Sequence, residues 1–151
     1  MFFTLLRYLW ASPNTLLGLA LALLARTTGG AWQTHTGVVE AHGGAVCWLL
    51  QRAPFVRGGA AAITFGHVVL AQERCELDRT RVHERVHVAQ YGRWGPLFLP
   101  AYLAAGAWQR LRGRDPYRDN PFEVPAYAAG DAAQAAARQA AQADADNAGH
   151  T

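Results

Sequence analysis

The sequence predicts an α+β fold: a small antiparallel sheet, then a helix carrying His83-Glu84-Arg85-Val86-His87, then two further helices. An apolar helical segment precedes them. Three observations lead to this. Glycine-punctuated apolar runs between residues 30 and 71 have the length and β-branched content of strands. From Cys75 the apolar residues change to helical spacing. The first 25 residues are the most apolar of the chain and carry a single charge, Arg7.

The N-terminal segment comes first. Tyr8 to Ala25 is uncharged, which only reaches the ~18-residue threshold for a spanning helix. Ser12-Pro13-Asn14-Thr15 interrupts it, because Ser12 or Asn14 suits a helix cap and Pro13 resists continuation of the preceding helix. Two pieces are expected, Phe2 to Ala11 and Thr15 to Ala25. An interfacial or re-entrant hairpin fits them best, which makes the protein membrane-associated. An apolar helix packed on the core and a cleaved signal peptide are the alternatives, and the location expected without membrane association is cytoplasmic. A signal peptide would have Arg7 alone as its basic region and no A-x-A site after it.

The sheet is expected from Thr34 to Glu40 and Ala45 to Gln51, paired about His42-Gly43-Gly44. Arg57-Gly58-Gly59 is read as a second turn, and Ala60 to Ala71 as one longer apolar strand. In the helix from Cys75, Leu77, Val82, Val86 and Ala89 recur near the helical period with charges between them, and the helix ends at Gly92 or Gly95-Pro96. Leu97 to Leu111 is the second helix, with Pro100 and Gly106 weakening its regularity. Arg112 to Asn120 is a polar loop. The third helix runs from about Pro121 to about Ala143, and residues 144–151 are expected to fray. With 151 residues the chain fits one domain, residues 30–143, and no internal repeat is evident.

Composition excludes some functions. All 14 basic residues are Arg, they are scattered, and the net charge is only +3. A nucleic-acid binder would show a basic stripe on a recognisable module, and none is present. The positive balance mildly favours an anionic membrane surface. Cys47 and Cys75 form no CxxC pair and read as free, buried thiols ahead of a disulfide.

The chemistry concentrates at His83-Glu84-Arg85-Val86-His87. Histidines four apart on a helix share a face, one turn apart, where both can bind one zinc ion. Glu84 points about 100° away, where it can accept a proton from a metal-activated water. With 6 His in the chain, an HExxH arises by chance in roughly one in a hundred such sequences. The competing reading is a solvated face, since Arg79, Arg81 and Arg85 surround the histidines.

A catalytic zinc needs a third protein ligand and an open position. Glu123 is the best candidate. Its competing role is structural: Asn120 and Glu123 make an N-x-x-E pair resembling a capping box, with Pro121 at the favoured first position. His67, in the apolar strand, and His42, beside the glycine turn, compete for the same ligand role. Asp119 and Asp131 could orient a ligating histidine. Tyr127 or His67 could contact an oxyanion or substrate, with core packing the alternative for both.

HERVH followed by Asn120-Pro121-Phe122-Glu123-Val124-Pro125-Ala126-Tyr127 resembles a minimal gluzincin, the zinc metallopeptidase group with HExxH and a downstream Glu ligand. H-E-R-V-H-V-A-Q-Y-G-R-W-G-P is also similar to small bacterial proteins without an assigned activity. The gluzincin resemblance covers roughly residues 60–133. It implies a zincin-like domain and zinc held by His83, His87 and Glu123. It also implies Glu84 as general base and a strand edge that binds an extended peptide or protein substrate. Pro125 departs from the pattern, because it resists α geometry at Val124. Glu123 must then sit on the first helical turn or just before it. Two other readings stand beside this hydrolase. One is a zinc-containing binding or scaffold protein at the membrane, without catalysis. The other is a small membrane-anchored helical protein without metal.

Overall fold

Two helices open the chain, α1 (Phe2–Trp10) and α2 (Ser12–Thr27), parted at the fully buried Ala11. The computed structural model describes residues 2–53 and 59–148. Pro13 lies in the first turn of α2, where its missing N–H costs nothing. Neither expected cap forms. The Ser12 hydroxyl donates back to the Leu9 carbonyl, and Asn14 Nδ2 donates to the Gly95 carbonyl. No helix among the described residues is long and apolar enough to cross a membrane.

The structure corrects the strand assignments. β1 (Ala31–His35) and β2 (Val38–His42) form the first hairpin, and its turn is Thr36-Gly37, not Gly43-Gly44. Thr36 and Gly37 have φ of 43° and 76°, the two positive values that a two-residue mirror-image turn requires. Ala45 to Gln51 is not a strand but part of α3 (Gly44–Gln51), which buries Val46 and Leu50 one turn apart. A short, continuously apolar run has no period that separates strand from helix. Ala60 to Ala71 is likewise not one strand. It folds as a second hairpin, β3 (Ala62–Phe65) and β4 (Val68–Ala71), closed at Gly66-His67. Of the expected turn at residues 57–59, Arg57 and Gly58 lie outside the described residues, and Gly59 takes φ +84°.

The strand order is β1-β2-β4-β3, with β2 and β4 parallel. The sheet is therefore mixed, not antiparallel. Parallel neighbours need a crossover, and α3 supplies part of it. The chain thus lays down two successive hairpin-plus-helix units, β1-β2-α3 and β3-β4-α4 (Arg74–Trp94).

Alternation of side chains sorts the layers. Ala41, Val68 and Leu70 point to one side and pack with Ala22 and Ala25 of α2 and Val46 and Leu50 of α3. Val38, Val69 and Ala71 point to the other side and pack with Leu77 of α4. β4 is covered on both faces, which explains why it reads as a continuous apolar run, while the edge strand β1 stays largely exposed. After α4 come a 3-10 turn (Gly95–Leu97), α5 (Phe98–Leu111) and α6 (Glu123–Ala148). Pro100 and Pro125 fall in the first turns of α5 and α6, where the N–H has no intrahelical partner. α6 begins two residues later than expected and extends past Ala143. Its residues 134–147 are all exposed. A third cluster of Ala11, Tyr91 and Phe98, with Tyr102 and Phe122, ties the start of the chain to α4, α5 and the approach to α6.

Candidate metal centre

The site begins with how α4 is held. Its buried residues are Leu77, Glu84, His87 and Tyr91, a stripe along the face turned to the sheet. On the same face Arg81 grips Glu40 of β2, with Nε to Oε1 at 2.9 Å and Nη2 to Oε2 at 3.0 Å. Glu40 is 2% exposed and takes a further hydrogen bond from Gln33. Burial opposes its charge, but Arg81, Gln33 and Arg85 outweigh that and hold its carboxyl below the usual range. This bidentate pair fixes the rotation of α4 on the sheet.

α6 then approaches α4 closely. Ala126 is fully buried, and a Cβ placed on Gly130 would meet His83 Cβ at 3.5 Å. Small residues three and seven positions after Glu123 let the first turns of α6 lie against α4, which carries Glu123 to the histidines. Asn120 supports this start: its carbonyl accepts from the Glu123 and Val124 amides, and its Oδ1 accepts from the Phe122 amide. Glu123 makes no cap in return, because its carboxylate is turned to the histidines.

Ligand atoms of His83, His87 and Glu123 all lie within 4.8 Å of one another. His83 Nε2 is 3.2 Å from His87 Nε2 and 3.2 Å from Glu123 Oε2. Donors at about 2.05 Å from a tetrahedral zinc are about 3.3 Å apart, so these two edges match such a shell. Glu123 Oε2 is buried and makes no hydrogen bond. An acceptor buried without a donor is costly, and a cation shared with the two imidazoles would satisfy it. The donor set of two nitrogens and one carboxylate oxygen suits zinc.

The neighbours of the cluster set its protonation. Gln90 Nε2 donates to the Phe122 carbonyl at 2.8 Å, which turns Gln90 Oε1 toward His87 Nδ1, 2.9 Å away. A carbonyl cannot donate, so the Gln90 amide is fixed and His87 must carry its proton on Nδ1. The lone pair of Nε2 then faces the cluster. Tyr102 donates to Glu123 Oε1 at 2.6 Å. Burial and the Glu123 charge push the Tyr102 phenol up, so it stays a donor. Burial also raises the Glu123 carboxyl, but the His83 and His87 rings close to it and the hydrogen bond from Tyr102 outweigh this and hold it at about 2. Burial lowers His87, and the Glu123 and Glu84 carboxylates reverse that, leaving it raised.

Glu84 stands beside the cluster, 4% exposed, and Thr64 of β3 donates to its Oε2 at 2.6 Å. A polar cavity of about 360 Å³ opens on His83, Glu84, Tyr127 and the Ala60–Ala62 stretch that leads into β3. A second, mainly apolar cavity of about 290 Å³ reaches Glu84, His87 and Glu123 from the side of Ile63, Phe65 and Leu103. The Tyr127 ring stands edge-on to His83, with centroids 5.0 Å apart.

The remaining residues singled out in the sequence lie elsewhere or act otherwise. His67 occupies the β3–β4 turn. Its ring stacks on Tyr8 at 3.9 Å and its amide donates to Thr15, so it belongs to the N-terminal helices. His42 ends β2, outside the cluster. Asp119 accepts the Asp115 amide and so braces the loop. Asp131 borders the polar cavity. The side-chain hydrogen bond to His87 is made instead by Gln90, and Tyr102 holds Glu123. Cys47 and Cys75 are both free, as expected, but neither is buried.

Sequence reasoning missed Thr64, Gln90 and Tyr102. Gln90 had a usable signal, since it lies three residues after His87 on the same helical face. Thr64 is the one polar residue in the A-I-T-F strand. Nothing local marked Tyr102. Comparison with protein-family models, curated proteins and solved structures gives no match to this chain.

Proposed function

We propose that this protein is a zinc-dependent hydrolase, a small metallopeptidase of the gluzincin type. One observation carries the reading: two helical histidines and a buried carboxylate converge at spacings that suit a tetrahedral cation, with a second carboxylate beside them at an open cavity. His83, His87 and Glu123 hold the metal. When bound, zinc supplies Lewis acidity and makes water acidic enough to attack at neutral pH. Glu84 takes the proton of the attacking water and returns it to the leaving amine. Thr64 aims the Glu84 carboxylate from the strand side. Tyr127, at the cavity wall, would donate to a developing oxyanion. β3 is an edge strand of the sheet and borders both cavities. An extended peptide or protein substrate can add to it by main-chain hydrogen bonds.

The experiment combines metal analysis with turnover of a mixed peptide library. Wild type should hold about one zinc per chain and cleave. Glu84→Gln should hold the same zinc and cleave roughly 100-fold or more slowly. A chain that binds no zinc would sink the reading at its base. The rival, a zinc-containing scaffold without catalysis, is favoured by the bond that Thr64 already makes to Glu84. It predicts bound zinc, no turnover, and a Glu84→Gln variant equal to wild type.

A further inference from the structure

α2 is apolar on the wrong side for a helix that only packs on a core. Its buried positions are Gly18, Ala22 and Ala25, all small. The opposite arc carries Leu16, Leu17, Leu23 and Leu24, and Leu16 is 66% exposed. An ordinary surface helix buries its large aliphatic residues and exposes polar ones. Close approach to the sheet requires the small face inside: a Cβ on Gly18 would come within 2.7 Å of Val68 Cβ. Nothing in that packing requires leucine outside.

The neighbouring helices expose apolar side chains as well. α1 exposes Leu9, at 69%, and Trp10. α3, packed beside α2 in the same layer, exposes Trp48, with the Arg52 guanidinium 4.6 Å above its ring. The charge in this part of the chain has one sign. Through residue 72 the only carboxylate is Glu40. It is buried on the other face of the sheet, paired with Arg81. Arg7, Arg26 and Arg52 are exposed. The layer therefore offers leucines, interfacial aromatics and arginines, with no exposed carboxylate among its described residues.

We infer that this layer docks flat on an anionic lipid bilayer. The leucine ridge enters the boundary between headgroups and acyl chains. Trp10 and Trp48 sit at headgroup level, where amphipathic rings are favoured. The arginines meet lipid phosphates. Charge argues against a second copy as the occupant, because two such faces would oppose arginines with no carboxylate to pair them. The length of α2, 16 residues with one face committed to the sheet, makes the attachment interfacial and not spanning. The metal cluster lies on the α4 side of the sheet, opposite α2 and α3. The inference is independent of the metal reading.

The test is co-sedimentation of the full chain with vesicles of phosphatidylglycerol and phosphatidylcholine, against vesicles of phosphatidylcholine alone. Wild type should partition to the anionic vesicles, with a blue shift of tryptophan emission. Leu16→Ser/Leu23→Ser should lose roughly 10-fold or more in partitioning. Its circular dichroism and zinc content should not change, since both side chains are exposed. Arg26→Gln/Arg52→Gln should weaken binding to anionic vesicles by about 5-fold per charge, and it decides the matter if the leucine variant misfolds. The inference is overturned if wild type stays in the supernatant with anionic vesicles. It is also overturned if the leucine variant binds like wild type, or if wild type is a dimer that the leucine variant dissociates while neither sediments with vesicles.

Discussion

Tyr102→Phe isolates one hydrogen bond at the candidate metal centre. The substitution removes a hydroxyl that donates to Glu123 Oε1 at 2.6 Å and keeps the ring against Phe98 and Phe122. A hydrogen bond to a buried carboxylate contributes about 1.5–3 kcal/mol. That bond ties down one carboxylate oxygen, and Glu123 Oε2 is left facing His83 Nε2. Without it the carboxylate can rotate about its last torsion, and the three donors lose their common point. Loss of such an outer partner lowers metal affinity about 10- to 100-fold, or about 1.4–2.7 kcal/mol, which agrees with the bond removed. Zinc affinity is measured by competition with a chromophoric chelator. Glu123→Ala serves as the reference for complete loss of the ligand, and circular dichroism confirms the fold. An affinity equal to wild type, or tighter through bidentate binding of the released carboxylate, would refute the reasoning.

Other outcomes follow from the same structure. Arg81→Met leaves Glu40 buried with only Gln33 and the more distant Arg85, 3.6 Å away. It should destabilise the fold by about 3 kcal/mol, seen as a lower denaturant midpoint. Glu40 has a depressed folded pKa. Its contribution is therefore present above the ordinary carboxylate range and lost as pH falls through the depressed value, so Arg81→Met should also flatten the acid limb of the stability curve. In metal-free protein, Glu123 at about 2, against 4.5 unperturbed, contributes on the order of 3 kcal/mol. This should disappear as pH falls from 4.5 toward 2 and be missing in Glu123→Gln. Gly18→Ala drives a methyl into Val68 and should cost about 1–3 kcal/mol in thermal or chemical denaturation. A neutral result there would mean that α2 can lift off the sheet without penalty.

The sequence made some parts of this molecule legible and hid others for physical reasons. Long periodic segments were readable: α4 and α5 lie within a few residues of their expected bounds, and the break between α1 and α2 falls beside Pro13. The sheet was misread where residues 60–71 hide a turn. Gly66-His67 is an unobtrusive pair, and two strands of four residues each carry too few positions to show alternation. The parallel β2–β4 contact could not be seen, because it depends on where α3 sends the chain. At the site, His83 and His87 were readable because helical geometry alone puts them together. Glu123 needed both its residue type and the guess that a later helix returns. Gln90 was within reach of the same argument, three residues after His87 on one helical face. Tyr102 and Thr64 reach the site from other elements, and only tertiary packing brings them there.

Glu123 belongs to the last helix, while its two partners lie on α4. As the chain leaves a ribosome, the histidine pair emerges well before the carboxylate that completes the cluster. The three-donor centre therefore cannot exist until α6 has been made and its first turns have docked. Any cation held there binds only the docked arrangement and, by mass action, pulls the helix down onto its seat. Amide hydrogen exchange near Ala126 and Gly130 would then slow in proportion to metal occupancy, while the exposed outer turns of α6 would exchange at an unchanged rate.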